Sequence, residues 1–140
     1  MTFGELKTLV KVLLIGDTQL PGSDDEILSL LDMIQYRVAM EAEALSLMTK
    51  DSINNEILRK CSVNSWLIRR PLIPKDDDTN IDLDTELTYA VANYMAGSLS
   101  KQRSAILNAE ATRIINNFNT ATYDILYDIE FDPLTAGDIF

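Results

Sequence analysis

Ile81-Asp82-Leu83-Asp84-Thr85-Glu86-Leu87-Thr88-Tyr89-Ala90-Val91-Ala92-Asn93-Tyr94-Met95-Ala96 is the stretch on which the fold turns. Its acids crowd the start, where the positive end of a helix attracts carboxylates. Leu83, Leu87, Ala90, Val91, Tyr94 and Met95 recur every three or four residues, so they share one helical face. The segment predicts a helix beginning near Asp82, with that aspartate as N-cap. Ala96-Gly97-Ser98 then offers small side chains against which a second helix can pack closely. A helix with so much apolar surface needs partners on either side in the chain.

Downstream, Ala105, Ile106, Ala109, Ile114, Ile115 and Phe118 outline a fourth helix that begins near Ser100. Upstream, the run Asp76-Asp77-Asp78-Thr79-Asn80 reads as a solvated loop. Pro71 and Pro74 stop whatever precedes them. Between Thr49 and Asn80 the helical period fails, and Glu56 to Ser62 and Trp66 to Arg69 read as two short strands, a hairpin or extended arm. Near the start, Phe3, Leu6, Val10 and Leu13 predict a helix over Thr2–Leu14, which Gly16-Asp17 ends. Ser23-Asp24-Asp25-Glu26 has the form of a capping box. The stripe Ile27, Leu30, Leu31, Ile34, Val38, Ala42, Leu45 carries a second helix from there to about Met48. Glu41 beside Arg37, and Glu43 with no base four residues on, read as ordinary helix surface.

The expected fold is mainly α: a small four-helix domain over residues 1–120, with an extended arm or β-hairpin at about 50–80 between helices 2 and 3. An extended C-terminal arm over 121–140 completes it. There Ile125, Tyr127, Ile129 and Phe131 alternate with Leu126, Asp128 and Glu130, a period of two that predicts an extended or weakly helical segment. With Tyr123, these side chains either lie against a partner or complete the domain's own core.

Composition excludes much chemistry. The chain has no histidine and one cysteine, Cys61, so imidazole acid–base catalysis, a Ser-His-Asp triad, a thiolate zinc site and a Cys-x-x-Cys pair are all ruled out. Its five glycines are scattered, leaving neither a P-loop nor a dinucleotide fingerprint. Asp76, Asp77, Asp78 and Asp82 lack the glycine and closing glutamate of a calcium loop. No cofactor, metal or enzymatic activity is expected. The longest aliphatic run, Val12 to Ile15, is far too short to span a bilayer, and a single cysteine suits a reducing cytoplasm.

Twelve bases against twenty-two acids give a net charge of −10, which argues against general affinity for nucleic acid. The charge is uneven. Lys50, Arg59, Lys60, Arg69, Arg70 and Lys75 form a basic middle, an acidic run follows from Asp76 to Glu86, and no base occurs after Arg113. A basic middle and an acidic tail suit head-to-tail contacts between identical subunits, and equally a merely solvated surface.

The order of elements resembles the head–tail adaptor (connector) proteins of tailed bacteriophages. It runs short helix, long helix, basic segment ending Trp66-Leu67-Ile68-Arg69-Arg70-Pro71, acidic loop, the Ile81–Ala96 helix, then a helix containing Ala109-Glu110-Ala111. The resemblance covers about Asp24 to Phe118 and rests on helix pattern and composition. It implies a virion structural protein, assembled in the host cytoplasm, that forms a closed ring of about twelve copies under the portal. Such a ring extends the DNA channel, lies close to packaged DNA without specific binding, and presents a surface to a tail or neck protein. By position it implies portal docking through Tyr123, Ile125, Tyr127, Ile129, Phe131 and Phe140, and intersubunit contacts through Arg59, Lys60, Trp66, Arg69 and Arg70. Asp24, Asp25, Asp76, Asp77 and Asp78 would face the channel, since carboxylates do not hold passing phosphates. Two other readings fit the same residues: another neck component such as a stopper or tail-completion protein, and a monomeric cytoplasmic regulator that binds a partner through its apolar tail.

Overall fold

The computed structural model describes residues 1–62 and 65–131, with residues 127–131 described as helical backbone only. Four helices, α1 (Phe3–Leu13), α2 (Asp24–Glu41), α3 (Thr85–Leu99) and α4 (Ser104–Phe131), surround one core. A three-stranded antiparallel sheet, β1 (Met48–Thr49), β2 (Ile57–Lys60) and β3 (Leu67–Arg69), lies between α2 and α3 in the chain. The mainly helical fold with a hairpin between helices 2 and 3 is therefore as the sequence indicates. β3 takes the centre of the sheet, and β2 pairs with it through a register shift between Ile57 and Arg59.

α3 is the central helix, and every residue from Leu87 to Gly97 except Tyr89 is buried. Gly97 explains how α4 comes so close: a Cβ there would stand 2.4 Å from the Asn108 side-chain oxygen. The core face of α4 is Leu107, Ala111, Ile115, Phe118, Thr122 and Leu126, whereas Ala105, Ile106 and Ala109 are exposed. The sequence reading placed that stripe wrongly at its start. Stepping back by helical spacing from the well-buried Ile115 leads to Ala111 and Leu107, and leaves the bulkier Ile106 outside.

Three helix ends differ from expectation, two of them for a reason outside their own segment. α1 rather than α2 carries the capping box: the Glu5 N–H donates to Thr2 Oγ1 at 3.1 Å and the Thr2 N–H reaches Glu5 Oε1 at 3.5 Å. Ser23 makes no side-chain cap bond. α3 starts after Asp84, not Asp82, because Asp82 is held by Arg69 at 2.6 Å. α2 stops at Glu41 although its apolar pattern continues to Leu45, because distant donors take its last carbonyls. Asn119 on α4 donates to Glu41 O at 2.9 Å, and Arg59 on β2 donates to Ala42 O at 2.6 Å and Ala39 O at 3.3 Å.

The C-terminal segment also departs from the alternating pattern. α4 runs unbroken through Ala121–Phe131 where an extended or weakly helical arm was expected, and Thr122 and Leu126 are buried. Helical spacing from Phe118 places 122 and 126 on the core face, so a period of two over so short a run was a coincidence of composition.

Candidate functional site

The basic middle of the chain is where charge was expected to face other subunits. The structure instead shows most of it occupied within the chain. Glu43, only 3% exposed, is the centre of one cluster. Its carboxylate accepts from Cys61 Sγ at 3.0 Å, Ser62 Oγ at 2.5 Å and Arg59 Nη1 at 3.3 Å. Its backbone N–H donates to Asn119 Oδ1 at 2.8 Å. One side chain thus ties the end of α2 to the hairpin, while its backbone ties the same point to α4. Burial pushes the Glu43 carboxyl toward its neutral form, but the Cys61 and Ser62 donors and the Arg59 charge outweigh it and leave the pKa below the usual range. Reading Glu43 as helix surface was an error. No basic residue stands one helical turn away, and its partners come from sixteen to nineteen residues downstream.

Arg69 is held likewise. Its guanidinium forks onto both Asp82 oxygens at 2.6 and 2.9 Å, and Asp82 also accepts the Leu72 N–H at 2.8 Å. Burial opposes ionisation of Asp82, yet Arg69 and the Leu72 N–H bring its pKa below the ordinary value. Arg70 pairs with Asp32 and Glu56 and lies over the Tyr36 ring. Trp66 is half-buried with Lys50 above its ring at 4.6 Å, and Lys60 is exposed. Reversing charge at Arg69 would accordingly damage the fold before it tested any interface. Of the residues expected at an intersubunit contact, Lys60 is the cleaner probe.

Glu41 and Arg37, also read as plain surface, join a contact between helices: Tyr94 Oη donates to Glu41 at 2.7 Å, and Arg37 stacks on the Tyr94 ring at 3.9 Å while bonding Glu41 at 2.9 Å. Burial is the main cause that raises the Tyr94 pKa; the Thr112 contact opposes it and the Glu41 contact adds to it.

The acids assigned to a channel are partly brought together. Asp24 at the start of α2 and Asp77 in the loop converge on Lys7, at 3.3 and 2.7 Å, while remaining well exposed. Asp25 and Asp78 are exposed, and Asp76 closes a local turn with Thr79 and the Asp78 N–H. The loop is more than solvated chain. Its carbonyls at Asp77 and Thr79 accept the Gly4 and Phe3 N–H groups, satisfying the first donors of α1. Of the residues expected to dock, Tyr123 and Ile125 are exposed on α4. The side chains of Tyr127, Ile129 and Phe131, and the whole of Phe140, lie outside the described residues.

Several large apolar side chains remain in solvent. Met33, Tyr36 and Met40 line the outer face of α2, Ile53 tips the loop before β2, and Leu72 and Ile73 follow β3. A groove of about 550 Å³ between α1, α3 and α4 has Leu9, Leu13, Tyr89 and Ile114 on its floor. Among the described residues no helix is long and apolar enough to cross a membrane, and no group of three or more acids or cysteines is placed to hold a metal ion. Compared with protein-family models, with curated proteins and with solved structures, the chain finds no match.

Proposed function

We propose that this chain is a head–tail adaptor, a structural virion protein whose copies form a ring under the portal, extend the DNA channel and join capsid to tail. The observation that carries this reading is the division of the surface. Carboxylates from α2 and the acidic loop gather around Lys7 of α1. Meanwhile large apolar side chains stand exposed on α2, after β3 and along α4. A ring subunit needs both: a repulsive lining toward DNA and adhesive flanks toward neighbours. The shape of the chain, four helices with a hairpin between the second and third, agrees with the resemblance seen in its sequence.

The test is attachment to DNA-filled, tailless heads, read by co-sedimentation and negative-stain images. The expected result is a ring at the portal vertex, lost when residues 132–140 and the exposed Tyr123 and Ile125 are altered together. Cutting the chain before Tyr123 is a poorer test, because it also removes buried Leu126 from the core. Failure of the intact chain to bind heads at any concentration, with the chain folded, would overturn the reading in favour of a regulator acting on another partner.

A further inference from the structure

The segment Pro71-Leu72-Ile73-Pro74 is built to hold two apolar side chains in the open. Both prolines are buried and act as anchors, whereas Leu72 is 70% exposed and Ile73 is 47% exposed. The backbone between them is fixed as well, since the Leu72 N–H is bonded to Asp82, itself gripped by Arg69. A segment fixed in this way loses little conformational freedom on binding, which is how a preorganised docking element gains affinity. Lys75 follows directly, exposed and in no ion pair among the described residues.

The groove between α1, α3 and α4 has the complementary character. Leu9, Leu13, Tyr89 and Ile114 form an apolar floor, and its volume of about 550 Å³ is within the range of built binding clefts. Two glutamates, Glu86 and Glu110, also line it. Glu110 is neutralised by Arg113, but Glu86 is exposed and in no ion pair among the described residues. One unpaired cation beside the strap and one unpaired anion beside the groove match in sign and number. We propose that the strap of one copy docks in this groove of a second copy, Leu72 and Ile73 on the apolar floor and Lys75 against Glu86. Strap and groove are different surfaces, so the contact is head-to-tail and propagates from copy to copy until it closes. The inference deepens the adaptor reading by naming the contact between subunits.

The test uses the full chain, with particle mass followed against concentration. The double variant Leu72→Asp, Ile73→Asp changes only exposed side chains and is expected to fold. It should raise the concentration for half-assembly at least about tenfold. Lys75→Glu and Glu86→Lys should each weaken assembly, and the double swap in one chain should restore it. Assembly that is indifferent to all of these overturns the strap contact and leaves the adaptor reading standing. Should the chain stay monomeric alone, a mixture of Lys75→Cys and Glu86→Cys copies treated with a short bis-maleimide decides the matter. A heterodimer exceeding either variant alone supports the contact, and its absence overturns it. Cross-linking within one chain carrying both cysteines at high dilution would place the strap in its own groove and also overturn it. Copies that cross-link as expected but never bind heads would keep the contact and sink the adaptor.

Discussion

The end of α2 and the strap after β3 use the same basic middle of the chain in opposite ways. At the end of α2 the charge is buried: Glu43 and Arg59 face each other among hydrogen bonds, almost out of water. At the strap the charge of Arg69 and Asp82 supports a backbone from which two aliphatic side chains project. The comparison shows that charged residues here organise the chain, while several large apolar residues stay exposed. That inverts the simplest reading of a basic segment.

The largest effect should come from breaking the buried cluster. Glu43→Ala leaves the Arg59 guanidinium and several donors without their acceptor, and is expected to cost about 3–5 kcal/mol in urea unfolding. A loss below about 1 kcal/mol would mean that the cluster is peripheral to stability. Asp82→Asn should cost less, about 2 kcal/mol, because the pair it breaks is partly solvated. It should also speed proteolytic cleavage near Leu72, whereas Glu43→Gln should not. Unchanged cleavage would show that the strap is held by its prolines alone.

Acid sharpens the same contrast. Glu43 and Asp82 both have pKa values lowered by folding, so as pH drops the unfolded chain takes up their protons first. Their stabilisation is complete above the ordinary carboxyl range and is lost as pH falls through and below it. Glu43→Gln and Asp82→Asn should each flatten that acid-side decline in the unfolding midpoint, and an unaltered slope would count against either assignment. At the smaller end, Thr2→Ala removes the side-chain acceptor of the α1 capping box and should cost about 1 kcal/mol. Asp25→Asn, on the exposed acidic end, should alter stability by no more than about 0.5 kcal/mol. A larger change there would show that the acidic end, too, serves the fold.

Much of the architecture was legible before any coordinates. The four helices, the hairpin and the closely packed Gly97 follow from apolar spacing, prolines and small residues, all local signals. What escaped was wherever a polar side chain found a distant partner. Glu43 looked solvated because nothing basic stood one turn away, Asp82 looked like a cap, and the Ser23 motif looked like a box that Thr2 and Glu5 form instead. The candidate surfaces were decided the same way: the sequence left open whether Tyr123 and Ile125 face a partner or the core, and the helical course of α4 leaves them exposed, while the exposure of Leu72, flanked by buried prolines, has no sequence signature.

By itself the sequence determined that the chain is a mainly helical domain carrying a hairpin, and that imidazole and paired-thiol chemistry are beyond it. Periodicity and residue inventory are enough for that, because they act over a few residues or over the whole composition. Only the tertiary structure decided where α2 stops, which charges are occupied and which apolar side chains stay in water. Those outcomes depend on donors and acceptors brought together from distant parts of the chain, and desolvation makes each such meeting decisive for its neighbours.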